Sequence, residues 1–193
     1  MKILVEVSAR HIHLSEADFK KLFGSDASLG VKRNLSQKGQ FLSDKKIDLI
    51  GTKSVIKDVS ILGPFRKDTQ IEISLTDSFK LGVKVPVRES GFLDDTPGCK
   101  ITGPCGQIEI KKGLIIPKRH VHLSPESARN NNFKNSQNLL VRINSKERSL
   151  IFLDAVVRIE EYFTDAVHID TDEANAAGIE SNTLCEISGT EWI

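Results

Sequence analysis

Two short segments carry the residues with the most chemistry. Arg10-His11-Ile12-His13-Leu14-Ser15 and Arg119-His120-Val121-His122-Leu123-Ser124 agree at five of six positions, and the sixth exchanges Ile for Val. In an extended strand, residues i and i+2 face one side, so each H-x-H presents two imidazoles together. Neutral imidazoles so placed suit a borderline divalent ion such as zinc, but two donors do not close a site. Each pair needs a third ligand. The chain has five histidines, so His168 is the one left to complete His120 and His122. A weaker correspondence finds its counterpart: Gln70-Ile71-Glu72-Ile73-Ser74 matches the pattern of Ala166-Val167-His168-Ile169-Asp170. In that register Glu72 stands where His168 stands, and it is expected to complete His11 and His13. One His-His-Glu set and one His-His-His set follow, each with the three protein ligands that leave a coordination position open for catalysis.

If all five histidines are ligands, none serves as a general base, and Ser-His-Asp or Cys-His catalysis is excluded. The chemistry then falls to the metals, which ionise a thiol or water and polarise an oxygen. Two arginines at glycine turns are candidate anion binders, because the guanidinium grips phosphate with two parallel bonds. Arg66 follows the Gly63-Pro64 turn six residues before Glu72, and Arg88 precedes Gly91. Gly103-Pro104-Cys105-Gly106 reads as a turn; it lacks the Lys-Ser/Thr that follows a phosphate-cradling loop. Cys99, Cys105 and Cys185 form no CxxC pair and are expected to be reduced, inert thiols in a reducing compartment.

Each histidine pair follows an apolar strand-like run, Ile3-Leu4-Val5 or Leu114-Ile115-Ile116, and precedes a helix start. Ser15-Glu16-Ala17-Asp18 suggests a capping box, and Pro125 suits a first helical turn. Strand, R-H-x-H corner and short helix are thus used twice, which marks a duplication. Further strands are expected at 46–50, 54–56, 59–62, 84–87, 107–110, 139–143 and 155–159, with Gly, Pro, Asn and Asp between them. Helices are expected at about 15–23, 124–131 and 172–178, and a polar connector at 126–137. Many short strands with regular turn signals indicate barrels or sandwiches.

The 193 residues carry a formal net charge of +1, with 39% hydrophobic and 27% charged. That balance is ordinary for a soluble domain and lacks the basic excess of a nucleic-acid or membrane-surface binder. No apolar run approaches the roughly 18 residues of a membrane span. The start, MKILVEVSARHIHLS, reads as a first strand rather than a signal peptide, so a cytoplasmic protein is expected.

Over essentially its whole length the sequence resembles the phosphate acyltransferases of the propanediol-utilisation type. The resemblance rests on VSARHIHLS at 7–15, LGPFRKDTQIEISLTD at 62–77, VPVRESGFLDDTPG at 85–98, the glycine turn at 103–106, KRHVHLS at 118–124 and HIDTDEANAAGI at 168–179. It implies a reversible reaction in which acyl-CoA and phosphate give acyl phosphate and CoA. It also implies a mainly β, internally duplicated fold: two β-barrel domains with short capping helices, one spanning 10–117 and a discontinuous one built from 1–9 plus 118–193. Two zinc ions are implied. His11, His13 and Glu72 hold the first, with the CoA sulfur as a further ligand; His120, His122 and His168 hold the second, with waters. Arg66 matches the phosphate-contacting, catalytic arginine. Val7, Ser8, Ala9 and Asn175 match CoA-contacting positions, and Lys53 is a further candidate. Ser60 departs from the family, which often has a basic residue nearby for CoA.

The implied mechanism gives the thiol to the first zinc, and the phosphate to the second zinc and Arg66. A homodimer is a family expectation. Members packaged in bacterial microcompartments carry an N-terminal extension; this chain begins at its first strand, so a free cytoplasmic enzyme is expected. Two alternatives remain open at this level: a dinuclear zinc hydrolase of thioesters or acyl phosphates, and a non-catalytic, zinc-stabilised binding module. Acetyl and propanoyl groups differ by one methylene, worth about 1–3 kcal/mol of discrimination, so the expected substrate is a short acyl group of either kind.

Overall fold

The computed structural model of the chain describes residues 1–189, and the last four residues of the expected discontinuous domain lie outside them. In chain order the first elements are β1 (Lys2–Ser8), β2 (His11–His13), α1 (Glu16–Phe23), β3 (Val31–Asn34), β4 (Phe41–Ile50), β5 (Val55–Gly63), β6 (Gln70–Glu72) and α2 (Leu75–Leu81). Then come β7 (Val87–Arg88), β8 (Lys100–Thr102), β9 (Gln107–Glu109), β10 (Leu114–Pro117), β11 (His120–Leu123) and α3 (Pro125–Asn130). The chain finishes with β12 (Asn138–Ile143), β13 (Leu150–Ile159), β14 (Ala166–Asp170), α4 (Thr171–Ala177) and β15 (Leu184–Gly189).

The fold is mainly β and falls into two compact units. One comprises Met1–Ser8 with the chain from Lys118 onward; the other is Ala9–Pro117. In the first, six strands close a barrel in the order β1-β14-β11-β13-β12-β15. Alternate residues of its strands point inward; Leu139, Val141 and Ile143 of β12 are buried while Asn138 and Arg142 are exposed, the period-2 pattern that a one-faced strand requires. Val121, Leu123, Val157, Val167 and Ile187 fill the same core. The second unit is a nine-stranded half-barrel sheet ordered β7-β10-β6-β2-β5-β4-β8-β9, with β3 paired to β4. Its core gathers Ile12, Leu14, Phe19, Leu22, Leu49, Ile61, Ile71 and Leu114.

The duplication is visible in register. In the half-barrel unit β2 pairs parallel with β5 and antiparallel with β6, with His11 opposite Glu72. In the closed-barrel unit β11 pairs parallel with β13 and antiparallel with β14, with His120 opposite His168. The strand before each histidine pair belongs to the other unit: β1 pairs with β14, and β10 pairs with β6. The chain therefore passes from one unit to the other just ahead of each R-H-x-H, between Ser8 and Ala9 and between Pro117 and Lys118.

Several local expectations change. The runs 54–56 and 59–62 fuse into β5; Asp58, at φ 58°, sits where the β4–β5 register shifts, and its N–H is held by the Asp48 carboxylate at 2.9 Å. Within 84–87 only Val87 is in a strand. Helix α3 occupies the start of the expected connector at 126–137. Helix α2 was not expected; Ser74 caps it by accepting from the Asp77 N–H. The capping box expected at Ser15 is half formed: Ser15 accepts from the Asp18 N–H, but the Asp18 carboxylate accepts from Thr69 at 2.7 Å and Thr69 in turn accepts the Ser15 N–H at 3.0 Å. The pull of a partner across the fold outweighs the local reciprocal bond. A complete capping box occurs at α4, between Asp170 and Glu173. No helix among the described residues is long and apolar enough to cross a membrane.

Candidate metal centres

Each unit gathers one set of potential ligand side chains. His11, His13 and Glu72 offer atoms all within 4.8 Å of one another, and so do His120, His122 and His168. Strand geometry explains this: i and i+2 on the short strand give the two histidines, and the antiparallel neighbour gives the third group directly opposite the first. Nothing else of ligating type joins either set among the described residues. Cys99 and Cys185 are buried in the two cores, where burial pushes both thiols up to about 12; Cys105 is exposed.

The ring nitrogens divide in the same way in both units. His11 Nδ1 lies 2.9 Å from the Ala9 carbonyl and His120 Nδ1 lies 3.0 Å from the Lys118 carbonyl. Each of these carbonyls is an acceptor, so it selects the Nδ1–H tautomer and leaves Nε2 as the lone-pair nitrogen. His13 Nδ1, His122 Nδ1 and His168 Nε2 are buried without a hydrogen-bond partner. An unsatisfied buried polar atom costs roughly 1–3 kcal/mol, and three gathered in two clusters of ligand type fit a divalent cation in each. Electrostatics favours the neutral, ligating imidazole. Burial first, then the neighbouring His11 and Arg66, hold His13 well below the ordinary histidine value, against a hydrogen bond to the Leu62 carbonyl. Burial, then His168, His120 and Arg158, lower His122 to about 2. Burial, then Arg158, lowers His168 to about 4.

The groups behind the ligands differ. Glu72 Oε1 accepts from Gln70 Nε2 at 2.6 Å, and Glu72 Oε2 stands 3.5 Å from His11 Nε2. His168 Nδ1 instead faces Glu6 Oε2 at 3.6 Å, from the parallel neighbour β1. A carboxylate behind a histidine fixes the ring and strengthens it as a donor. Glu6 occupies the place that Ile115 takes beside Glu72. Phe163 stacks flat on His122, with ring centroids 3.8 Å apart.

The arginines of the repeated motif are pins. Arg10 donates to Asp77 at 2.9 Å and Arg119 to Glu173 at 2.6 Å. Both acids lie five residues past the third ligand, on the helix that follows it. Arg119 also pairs with Asp154 and lies over the Phe152 ring.

Arg66 follows β5, its charge is felt at His13, and its guanidinium donates to Ser90 Oγ at 2.9 Å. Arg88 turns back onto its own strand, donating to the Val87 carbonyl at 3.0 Å. Val7 and Ser8 end β1, and Asn175 is exposed on α4, which packs against β1 in the closed-barrel unit. Ala9 and Lys53 belong to the half-barrel unit, Lys53 in the exposed β4–β5 turn with its N–H bonded to Leu81. Ser60 sits opposite both His11 on β2 and Lys46 on β4, so a cation is adjacent on the neighbouring strand. Sequence reasoning missed Glu6, Gln70 and Arg158. Arg158 lies opposite His122 in β13, and the available signal was a charge inside an apolar strand, Ala155-Val156-Val157-Arg158-Ile159.

Comparison with known proteins bears on these centres. The sequence profile of the family described as phosphate propanoyltransferase matches residues 4–180. A phosphate propanoyltransferase of Thermotoga maritima is 45% identical over 185 residues, which cover 96% of this chain and 88% of that protein. Those of Alkaliphilus metalliredigens and Listeria monocytogenes are each 46% identical, over 95% of this chain and 86% and 85% of their own lengths.

Proposed function

The chain belongs to the phosphate propanoyltransferase family and is an acyltransferase, and from that premise we propose that it moves a short acyl group reversibly between coenzyme A and inorganic phosphate at two zinc ions. The observation that carries the reading is the pair of ligand clusters with bare, buried imidazole nitrogens at His13, His122 and His168. His11, His13 and Glu72 would hold one ion; His120, His122 and His168 would hold the other. When bound, the ions supply Lewis acidity, favouring the thiolate of coenzyme A and offsetting charge on phosphate.

The chain's own residues do the rest. Val7, Ser8, Ala9, Lys53 and Asn175 are proposed to bind coenzyme A, and Arg66 to bind phosphate through charge-assisted bonds. In the direction of acyl-CoA synthesis the CoA sulfur attacks the acyl-phosphate carbonyl; the C–S bond forms, the C–O bond breaks, and phosphate leaves with its electron pair toward Arg66. Stabilising that leaving charge is the largest contribution asked of a side chain here. Burial holds His13, His122 and His168 below the ordinary histidine value, in the neutral form that ligates, and with all five histidines assigned as ligands neither direction uses a histidine base.

The experiment is release of free CoA thiol from propanoyl-CoA, with and without inorganic phosphate, alongside metal analysis. Thiol release that requires phosphate and yields propanoyl phosphate is the expected result. Equal release without phosphate makes the protein a hydrolase, and no release with any short acyl-CoA overturns catalysis.

A further inference from the structure

Strand β6 sets two polar side chains on one face, Gln70 opposite His13 and Glu72 opposite His11. The closed-barrel unit has alanine, Ala166, where the half-barrel unit has Gln70, so this glutamine is private to one centre. It is almost wholly buried, and both its N–H groups and its oxygen are hydrogen-bonded. Nε2 donates to Glu72 Oε1 at 2.6 Å and to Ser90 Oγ at 2.7 Å, and Oε1 accepts the Gly91 N–H at 2.8 Å. A backbone N–H only donates, so the Gly91 bond fixes which end of the amide is oxygen and obliges the NH2 to face Glu72. Ser90 Oγ in turn accepts from the Arg66 guanidinium at 2.9 Å.

We propose that Gln70 is a positioning residue: it engages Glu72 Oε1 so that Glu72 meets the metal through Oε2 alone, and through Ser90 it sets the Arg66 guanidinium against that same centre. This rests on the metal-dependent reading above. One-oxygen ligation would leave a coordination position for the substrate sulfur, which a carboxylate bound through both oxygens would fill. A shared network also places the phosphate-binding group in fixed relation to the carboxylate ligand, the arrangement that productive geometry demands.

The test uses the full chain in a His168→Ala background, so that zinc binding reports the Glu72 centre. Zinc affinity is measured by chelator competition, and Co2+ absorption reports the ligand field. Gln70→Met and Gln70→Asn are expected to weaken zinc about 10- to 100-fold, as loss of an outer-shell partner does, and to change the Co2+ spectrum. Should Gln70→Met fail to fold, Gln70→Asn, which keeps the amide but withdraws it by one methylene, decides the point. In the otherwise native enzyme Ser90→Ala is expected to leave zinc affinity near the parental value, because Gln70 keeps its bonds to Glu72 and Gly91, and to raise KM for phosphate about three- to tenfold, more than it lowers kcat, because the link from Gln70 to Arg66 is cut. Parental zinc affinity and Co2+ spectrum in both Gln70 variants, or an unchanged phosphate KM in Ser90→Ala, overturn the proposal. If the His168→Ala parent itself binds neither zinc nor Co2+, the metal-dependent reading fails first, and the role of Gln70 toward Glu72 falls with it.

Discussion

The half-barrel and closed-barrel units build their centres on the same three strands in the same register, yet they surround them differently. In both, a backbone carbonyl two residues upstream orients the first histidine and the second keeps a bare Nδ1. The third member of the set is glutamate in one and histidine in the other. Behind the glutamate stands a neutral amide, Gln70, tied toward Arg66; behind His168 stands the Glu6 carboxylate, and an aromatic ring covers His122. Duplication thus supplied the ligand frame, and divergence acted on the third ligand and the groups behind it. On the proposed reading, the all-imidazole set would leave more positive charge on its ion than the set that contains Glu72.

That division can be broken. The largest expected effect is at Arg66: Arg66→Ala should leave the metal content intact and lower kcat by roughly 10²–10³, the usual loss for a transition-state charge donor. Steady-state kinetics with metal analysis checks this, and an equal loss in Arg158→Ala would erase the proposed asymmetry between the centres. A smaller effect is expected at Glu6. Glu6→Gln keeps the shape but removes the charge behind His168, and zinc affinity should fall about tenfold at that centre only, measured by chelator competition in a Glu72→Ala background. An effect of similar size, read in stability, separates the motif arginines. Arg119 is more enclosed than Arg10, holds two carboxylates, and faces a Glu173 that burial already pushes up. Arg119→Ala should therefore destabilise the fold by about 1–3 kcal/mol, and Arg10→Ala by less, in denaturant melts.

Much of this frame is legible in the sequence because strand periodicity is short-ranged. The i, i+2 histidines share a face without reference to anything distant, and the matching patterns around Glu72 and His168 carry the cross-strand register. What lies behind the ligands is less legible. Glu6 reads as one more alternating residue of β1, because nothing local says that β1 pairs with β14 of the distant second half. Gln70 gains its role from Ser90 and Gly91, about twenty residues away in a turn. Helix α2 was missed although Ser74 and Asp77 spell its cap, because its apolar residues are few and the segment is short. Thr69 took the Asp18 carboxylate from its expected local partner for the same kind of reason: a contact across the fold decided it.

The most direct test of the central claim is a count of bound metal by native mass spectrometry on the wild-type chain, Glu72→Ala, His168→Ala and the double variant. The account predicts two zinc ions in the wild type, one in each single variant and none in the double variant, with phosphate-dependent thiol release lost in all three variants. Two ions retained in either single variant, or wild-type turnover in the double variant, would contradict it.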